Sequence, residues 1–555
     1  MKKTMSGILA LAMCLALGAS ALAQAPDWLN LESDGVDAPM VNPGERVTLD
    51  VVIAQAATQG DAEDIWLWEY FRRFHNIDFR IEQVRDATEY KNLAFASGDL
   101  PDIIINMNLT AADLVTYGAE EQMLLPIDAY IDECMPNLAA LYAGHPEWRR
   151  SVTAPDGHIY GMGQISDPND ETRTGGYFIH SKWLDELGLA MPRTVDEFLD
   201  VMRAFKAAYE GAVPFNGGYN TNNPCMILLT AYGWITNDAK GLSPALRDGK
   251  VVFPYGDRGV YDAYLETMHT LYAEELMSHD FYSLDNIAVN ANVALGLAGT
   301  YTNAPWSAST EVFMDWDSPR PLTSELNDKQ IWPNNGNALT VNRWAISADT
   351  KYPELCCKLL DFFFNETGMT LAFYGPMAGS DVDTYGMTSG WRWDDASNWI
   401  VYDDILNDKD NRYGGMENMY RQQKIMLFTG VQLGDIRHFF EAVADMAGTD
   451  YERVWSLDSL DFRHYATVVE NLKPYYVSPY PNIVFFSQEV NNRIVDLKSV
   501  INSYVESETA KFVTGARAIT QDEMKMYYEE LDKLGYQEYL QYYVDYYRES
   551  VLSAR

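Results

Sequence analysis

The sequence has few of the residues and motifs on which catalytic and metal sites are usually built. Its eight histidines contain no pair four residues apart, and HExxH, GxSxG, Walker and GxGxxG motifs are absent. Basic residues number 41 against 80 acidic ones, and the net charge of −39 repels phosphate backbones. We therefore predict no catalytic residues, no metal, no cofactor and no nucleic-acid partner.

Long apolar runs are confined to the start of the chain. Lysines precede an apolar run at 8–22, and the small residues around Ala23 fit a signal-peptidase site, so we predict a secretory signal over 1–23. Lipid attachment through Cys14 is the less favoured alternative, because the bulky Met13 stands where lipoboxes have a small residue. No other stretch reaches the roughly 20 residues that span a bilayer. We expect an exported protein, periplasmic or extracellular and peripheral to the cytoplasmic membrane.

Two further features were considered as redox or metal sites. The cysteines outside the signal form no CxxC motif, and disulfides and buried free thiols are both compatible with their spacing. The run 408–412 (DKDNR) resembles the start of a calcium loop, but Arg412 stands at a ligand position and no Glu occupies the twelfth place. We therefore interpret 408–412 as a solvated turn.

Regular structure begins with a β-α-β-α-β order. The β-branched run 47–54 and the alternating run 77–84 are typical of strands, and the apolar spacing within 61–74 is typical of a helix. A second helix at 90–96 leads to the strand 103–105. Helices that alternate with strands predict a parallel sheet covered on both faces, with ligands at the carboxyl ends of its strands.

Five segments occur in the order found in one known family. They are ASGDLPDIII (96–105), PDGHIYGM (155–162), FIHSKWLDELGLAMPRTVDEF (178–198), DGKVVFPY (248–255) and ETAKFVTGARAITQDEMKMYYEELDKLGYQEYL (508–540). With them, the chain resembles the family 1 extracellular solute-binding proteins of bacterial ABC importers, particularly the long members that serve glycan uptake. The resemblance implies an α/β fold, a two-lobed type II periplasmic-binding-protein clamp with a helical C-terminal part, and ABC importer permease subunits as partners.

We predict that both lobes are discontinuous, because strand-like runs at 294–301 and 338–346 return after the helices of the second region. The predicted division is a linker at 24–45, an N-terminal lobe from 46–165 and 290–350, and a C-terminal lobe from 170–285 and 355–555.

Aromatic residues are abundant, at 13% of the chain. Their faces cover the C–H patches of sugars, while amides pair the hydroxyls. Loop runs that combine both ingredients are 215–223, 301–306 and 391–395. The predicted ligand-binding residues are Gln55, Asn106, Asn108, Asn303 and Trp306 from one lobe, and Tyr219, Asn220 and Trp391 from the other.

The expected function is therefore capture of a small ligand, an oligosaccharide by preference, through closure of two lobes in a monomer. Two alternatives stay open at this point: an exported glycan-active enzyme, and a binding protein for a peptide or another polar metabolite.

Overall fold

The computed structural model describes residues 26–552 apart from 34, 56–58, 166–175, 304–314, 335–338, 381, 383–389, 396–398, 414–416, 426–442 and 450–462. Its strands are β1 (Val47–Ala54), β2 (Ile77–Val84), β3 (Ile103–Ile105), β4 (Phe178–His180), β5 (Ala245–Arg247), β6 (Lys250–Val252), β7 (Thr300–Tyr301), β8 (Trp316–Asp317), β9 (Trp332–Pro333), β10 (Trp344–Ile346), β11 (Trp391–Asp394), β12 (Trp399–Tyr402) and β13 (Tyr476–Val477).

Helices make up most of the remaining regular structure. The α-helices are Trp66–Phe74, Ala87–Ser97, Ala111–Asp113, Asp128–Cys134, Pro136–Gly144, Pro146–Val152, Ser181–Leu187, Val195–Ala208, Met226–Ala231, Val260–Ala273, Asn286–Ala294, Pro353–Phe362, Glu366–Tyr374, Asp403–Leu406, Glu417–Lys424, Arg463–Asn471, Gln488–Thr514, Gln521–Lys533 and Tyr536–Tyr546. Single turns of 3-10 helix lie at Ala62–Asp64, Pro254–Gly256 and Lys473–Tyr475, and π-helical turns at Leu114–Glu120 and Tyr547–Leu552.

The first sheet confirms the predicted β-α-β-α-β unit. Its strand order is β10-β3-β1-β2, with β1 parallel to β2 and β3 and with β10 antiparallel to β3. Between the strands, helix Ala87–Ser97 begins where Asp86 accepts hydrogen bonds from two backbone amides, and it ends at Gly98, whose φ of 75° is left-handed. Local sequence signals thus determine this unit, and its strand ends share one edge.

The second sheet is smaller and antiparallel throughout. β4 lies at its centre, with β7 on one side and β8 on the other. The long C-terminal helix Gln488–Thr514 packs here through Ile494, Leu497 and Ile501, as its apolar periodicity predicts. This sheet and the helices around it enclose the second core.

The predicted division of the lobes is wrong in the segment 290–350. Val293, Tyr301 and Trp316 belong to the second core, because β7 and β8 both hydrogen-bond to β4. Residues 294–301 also form little strand, since a helix occupies Asn286–Ala294. The return to the first core comes later, with Leu339 and β10.

The division is also wrong at the start of the segment 355–555, whereas the C-terminal helices from Gln488 to Tyr546 pack in the second core as predicted. Helix Pro353–Phe362 follows β10 directly and buries Leu355, Leu359 and Phe362 in the first core, not the second. The connection from the edge strand β10 is short, so the helix packs against the sheet that contains β10. Beyond it, residues between Met369 and Val443 form a third, separate core around the β11–β12 pair.

The predicted linker at 24–45 is folded where it is described. Leu29 and Val41 form an antiparallel bridge and are buried in the first core with Met40. The backbone amide of Met40 donates to Nδ1 of the buried His75 at 3.2 Å. Prolines and mixed polarity suggested a linker, but these apolar side chains anchor the segment instead.

The described cysteines are free thiols, which decides between the two alternatives left open. Cys134, Cys225, Cys356 and Cys357 are all buried and none forms a disulfide. Burial raises the pKa of Cys134 to about 11, so this thiol stays protonated and unreactive near neutral pH.

Candidate functional site

Two passages of the chain between the first and second cores are called crossings. The first lies between Met162 and Tyr177 and the second between Trp332 and Trp344, each described only in part. The chain also returns to the first core at Ile483, between Leu472 and Ile494 of the second core. Where both crossings are described, they lie side by side as antiparallel neighbours, with bridges at the pairs Met162–Trp344 and Ile165–Leu339. A few extended residues that join two cores are the usual form of a hinge.

A cavity of about 380 Å³ lies at the second-core ends of both crossings, and we call it the hinge cavity. Gly176 and Tyr177 come from the first crossing, and Trp332, Pro333 and Asn334 come from the second. The remaining lining residues are Asn222, Asn223, Met226, Asn237 and Thr302. The described lining thus combines aromatic rings with four asparagine amides.

The second sheet positions two of these residues. Phe178 of β4 pairs with Tyr301 of β7, so the preceding Tyr177 and the following Thr302 lie at the same edge. Among the described residues, the Oγ1 atom of Thr302 is buried without a hydrogen-bond partner. Unpaired buried hydroxyls are uncommon, so this wall of the cavity would suit a polar group of a ligand.

The asparagines on the next wall are held in fixed orientations. Asn222 donates from Nδ2 to Oδ1 of Asn286 at 2.9 Å, and Asn223 donates to the carbonyl of Tyr219 at 3.1 Å. Gly217 permits this turn, because a Cβ there would lie 2.4 Å from the carbonyl oxygen of Asn222. Asn237, by contrast, is exposed at the rim.

The carboxyl edge of the first sheet adjoins the second crossing. Ile53 of β1 pairs with Ile105 of β3, which places Gln55 and Asn106 just beyond the same edge. The backbone amide of Asn106 donates to the carbonyl of Arg343 in the crossing at 2.7 Å. The second crossing therefore begins at the hinge cavity beside the second core and ends at the strand ends of the first core.

Comparison with known proteins identifies the family. The model of the bacterial extracellular solute-binding proteins matches residues 53–370, which is more than half of the chain. This chain belongs to that family.

The relatives extend the similarity over the whole length. The fructooligosaccharide ABC transporter substrate-binding protein FusA of Streptococcus pneumoniae is 26% identical across 97% of this chain and 96% of its own. An extracellular solute-binding protein of Bifidobacterium longum subsp. infantis superposes with a TM-score of 0.71 at 18% identity, covering 92% of this chain and 99% of its own. The alginate-binding protein AlgQ2 gives 0.66 at 20%, covering 91% and 99%. The two-lobed α/β fold is thus that of the solute-binding proteins.

The predicted first-lobe residues differ in their exposure. Gln55 and Asn106 are buried, whereas Asn108 is exposed. Gln55 donates from Nε2 to the carbonyl of Gln59 at 2.8 Å. Asn106 and Asn108 both have left-handed backbones, with φ of 61° and 52°, a conformation that asparagine tolerates better than most residues. They remain predicted ligand contacts.

Tyr219 and Asn220 precede the cavity wall but are not part of its lining. The Tyr219 hydroxyl donates to Glu506 at 2.9 Å, and burial together with that carboxylate raises the pKa of Tyr219 well above its usual range. Lys240 donates to Oδ1 of Asn220 at 2.7 Å and lies 4.6 Å from the centre of the Tyr219 ring. Both side chains are thus engaged within the protein, and their contact with ligand remains a prediction.

The remaining predicted residues have three different outcomes. Asn303 is exposed next to Thr302, which is close to its expected place. Trp306 lies outside the described residues. Trp391 is fully buried in the third core, where its indole N–H donates to the carbonyl of Gly375 at 3.0 Å. The prediction placed its ring toward the ligand, but the ring is enclosed in the third core and does not line the hinge cavity, so we leave Trp391 out of the site.

Sequence reasoning missed Trp332 and Asn334 altogether. They lie in the run Trp332-Pro333-Asn334, which has the same combination of an aromatic ring, a proline and an amide as the predicted run at 301–306. The signal was present, but this run falls within the segment that the predicted division assigned to the wrong lobe.

A larger groove of about 930 Å³ lies beside β8, between the loop at 189–193 and helix Arg463–Asn471. Its lining carries carboxylates and arginines together, and it includes no residue of either crossing. We prefer the smaller hinge cavity as the site, because it lies at the second-core ends of both crossings, where movement of the first lobe would cover or uncover it.

Within the described residues, no helix is both long enough and apolar enough to cross a membrane. The same residues contain no group of three or more His, Cys, Asp or Glu side chains arranged for a metal ion. In the run 408–412, the carboxylate of Asp408 accepts from Arg412 at 3.2 Å, an arrangement that suits the interpretation as a turn.

Proposed function

We propose that this solute-binding protein captures a small oligosaccharide in the hinge cavity and delivers it to the permease of an ABC importer without changing it chemically. The observation that carries the proposal is the position and lining of the cavity: aromatic rings and asparagine amides at the ends of both crossings. We further propose export with removal of residues 1–23, and action as a monomer.

The lining suits the chemistry of a sugar. Each pyranose or furanose presents apolar C–H patches bordered by hydroxyls, which are both donors and acceptors. Tyr177 and Trp332 line the cavity with little exposed surface, 1% and 3% of each residue. Asparagine amides carry donors and acceptors in general, but both N–H groups of Asn222 are already donated to Asn286 and Asn290, which leaves its carbonyl oxygen for a hydroxyl. The fixed orientation of Asn222 and Asn223 means that little side-chain entropy is lost on binding.

Delivery requires that the bound state differ from the empty one. A ligand shifts the lobes toward closure only when it binds the closed form more tightly, so it must contact both lobes. The hinge cavity supplies the second-lobe contacts. Gln55, Asn106 and Asn108, at the edge of the first sheet, are the proposed contacts from the other lobe.

The named relatives support a glycan but leave its type open. FusA is a fructooligosaccharide-binding protein by name, and AlgQ2 is an alginate-binding protein. Fructooligosaccharides are uncharged, whereas alginate is a polyuronate. The lining of the hinge cavity therefore has to indicate whether the ligand is an uncharged glycan or a polyuronate.

The exposed amide of Asn237 allows a sharp test. We expect Asn237→Ala to weaken oligosaccharide binding about three- to tenfold, the value of one net hydrogen bond, without changing the melting temperature of the empty protein. Asn492→Ala is the matched control, since Asn492 is also exposed but lies on helix Gln488–Thr514 away from the cavity. Titration calorimetry with the oligosaccharide that gives the largest thermal shift measures both.

Three results would contradict the proposal. Equal affinities for Asn237→Ala and Asn492→Ala would remove the hinge cavity from the site. Chromatographic detection of shortened products would favour a glycan-active enzyme. Thermal shifts with peptides and none with glycans would favour the peptide-binding alternative. A ligand present at 100 times its Kd adds about 2.7 kcal/mol to stability, which thermal shift detects readily.

A further inference from the structure

The hinge cavity differs from the other large grooves in the charge of its lining. No described lining residue carries a formal charge: four are asparagines and the rest are aromatic, apolar, glycine or threonine. Resting on the proposed function, we infer that this cavity selects uncharged glycans and rejects ligands that carry carboxylate or ammonium groups.

The described charged residues nearest to Asn237 in sequence are engaged elsewhere. Asp238 follows Asn237, but its carboxylate accepts from the backbone amides of Lys240, Leu242 and Ser243 at 2.9–3.0 Å. The Asp238 carboxylate thus stabilises the turn that follows it. Lys240 in turn donates to Asn220 at 2.7 Å.

The same holds on the side of the C-terminal helix. Glu506 accepts the hydroxyl of Tyr219 at 2.9 Å, and that ring has the Lys240 ammonium 4.6 Å from its centre. Asp238, Lys240 and Glu506 thus bind protein atoms, and the described lining presents uncharged amides and rings.

A uronate entering this cavity would lose water without gaining a cation. Amide N–H groups can donate hydrogen bonds to the carboxylate, but they replace its hydration less well than the charge-assisted hydrogen bonds of an arginine or lysine. The protein's overall charge of −39 adds long-range repulsion of any anion. Peptides are disfavoured by the same reasoning, since a terminal ammonium would find no carboxylate in the described lining.

The test compares matched probes of similar size. Neutral probes are kestose, nystose, maltotetraose, cellotetraose and lacto-N-tetraose; charged probes are tetragalacturonate, tetramannuronate and sialyllactose. We expect thermal shifts only with neutral probes, and charged probes at least about 100-fold weaker than the best neutral one by calorimetry. The Kd of that neutral probe should stay constant between roughly 50 and 500 mM NaCl, because salt screens only charge–charge attraction.

The outcomes separate the inference from the function on which it rests. Comparable affinity for any charged probe would overturn the inference and leave oligosaccharide capture standing. No binding by either group would overturn the proposed function itself.

A charge-introducing variant tests the cavity directly. Asn237→Lys should improve tetragalacturonate binding at least about tenfold, while Asn492→Lys should not, since only the first places an ammonium at the rim. Equal gains in both variants would assign the exclusion to overall charge, and no gain in either would remove Asn237 from the binding surface. Both results would overturn the inference.

Discussion

A buried lysine holds the N-terminal segment to the first core, and removing it should destabilise the fold strongly. Lys358 is 3% exposed in helix Pro353–Phe362, and its ammonium donates to the carbonyls of Leu31 at 2.9 Å and Ser33 at 2.7 Å. One turn later, Asp361 accepts from the backbone amide of Leu138 at 2.8 Å. The two charges therefore join separate parts of the chain to one helix.

Lys358→Met keeps the length of the side chain and removes its charge. Two buried carbonyls then lose their donor, and Asp361 loses the positive neighbour that lowers its pKa. Burial already raises the pKa of Asp361 to about 6, so the lone carboxylate would be costly. Breaking a buried charged contact from one side destabilises by about 3–5 kcal/mol, and we expect a loss in that range.

The assay is denaturant unfolding with limited proteolysis of the segment before residue 45. Lys525→Met is the control, because that side chain is 72% exposed and should change stability by less than about 0.5 kcal/mol. The double variant Lys358→Met/Asp361→Asn should be less destabilised than the sum of the single variants, since it leaves no lone buried carboxylate. A Lys358→Met protein within about 1 kcal/mol of the parent, with no new cleavage, would refute the reasoning.

Three other predictions follow from buried groups. Burial lowers the pKa of His180 from 6.5 to about 4. The neutral ring therefore favours the folded state fully above pH 6.5, and about 3 kcal/mol of this stability is lost as the pH falls toward 4. The melting temperature should accordingly depend less on pH in His180→Phe than in the parent protein. Thr302→Val should leave the empty protein's melting temperature unchanged or raised, because the lost hydroxyl has no hydrogen-bond partner among the described residues; a marked fall would contradict this. Trp391→Ala should cost about 3–5 kcal/mol in unfolding experiments and leave glycan affinity unchanged by calorimetry; weaker binding in a fully stable variant would return Trp391 to the site.

The three parallel strands of the first sheet could be predicted from the sequence because their signals are local. β1, β2, β3 and the helices between them lie within some sixty residues of one another, and each has its own periodicity and boundaries. The strand ends at Gln55 and Asn106 follow from that order alone. No long-range information was needed to place them at one edge.

The division into lobes could not be predicted in the same way. Whether β7 joins β4 or the first sheet depends on pairing across more than a hundred residues, and a two-residue strand carries almost no sequence signal. The same is true of helix Pro353–Phe362, whose apolar residues would suit either core. Composition shows that such a helix is buried without showing against which layer.

The site shows where this limit affects function. Trp332 and Trp391 occur in similar loop-like runs, with prolines, amides or charges around them, and both are almost fully buried. What separates them is tertiary: Trp332 precedes Asn334 on a crossing beside a cavity, whereas the Trp391 indole is sealed against the Gly375 carbonyl in the third core. A ring and an amide adjacent in sequence are therefore only half of a sugar site. The other half is a neighbouring wall that leaves space, and here the meeting of two chain crossings creates that space.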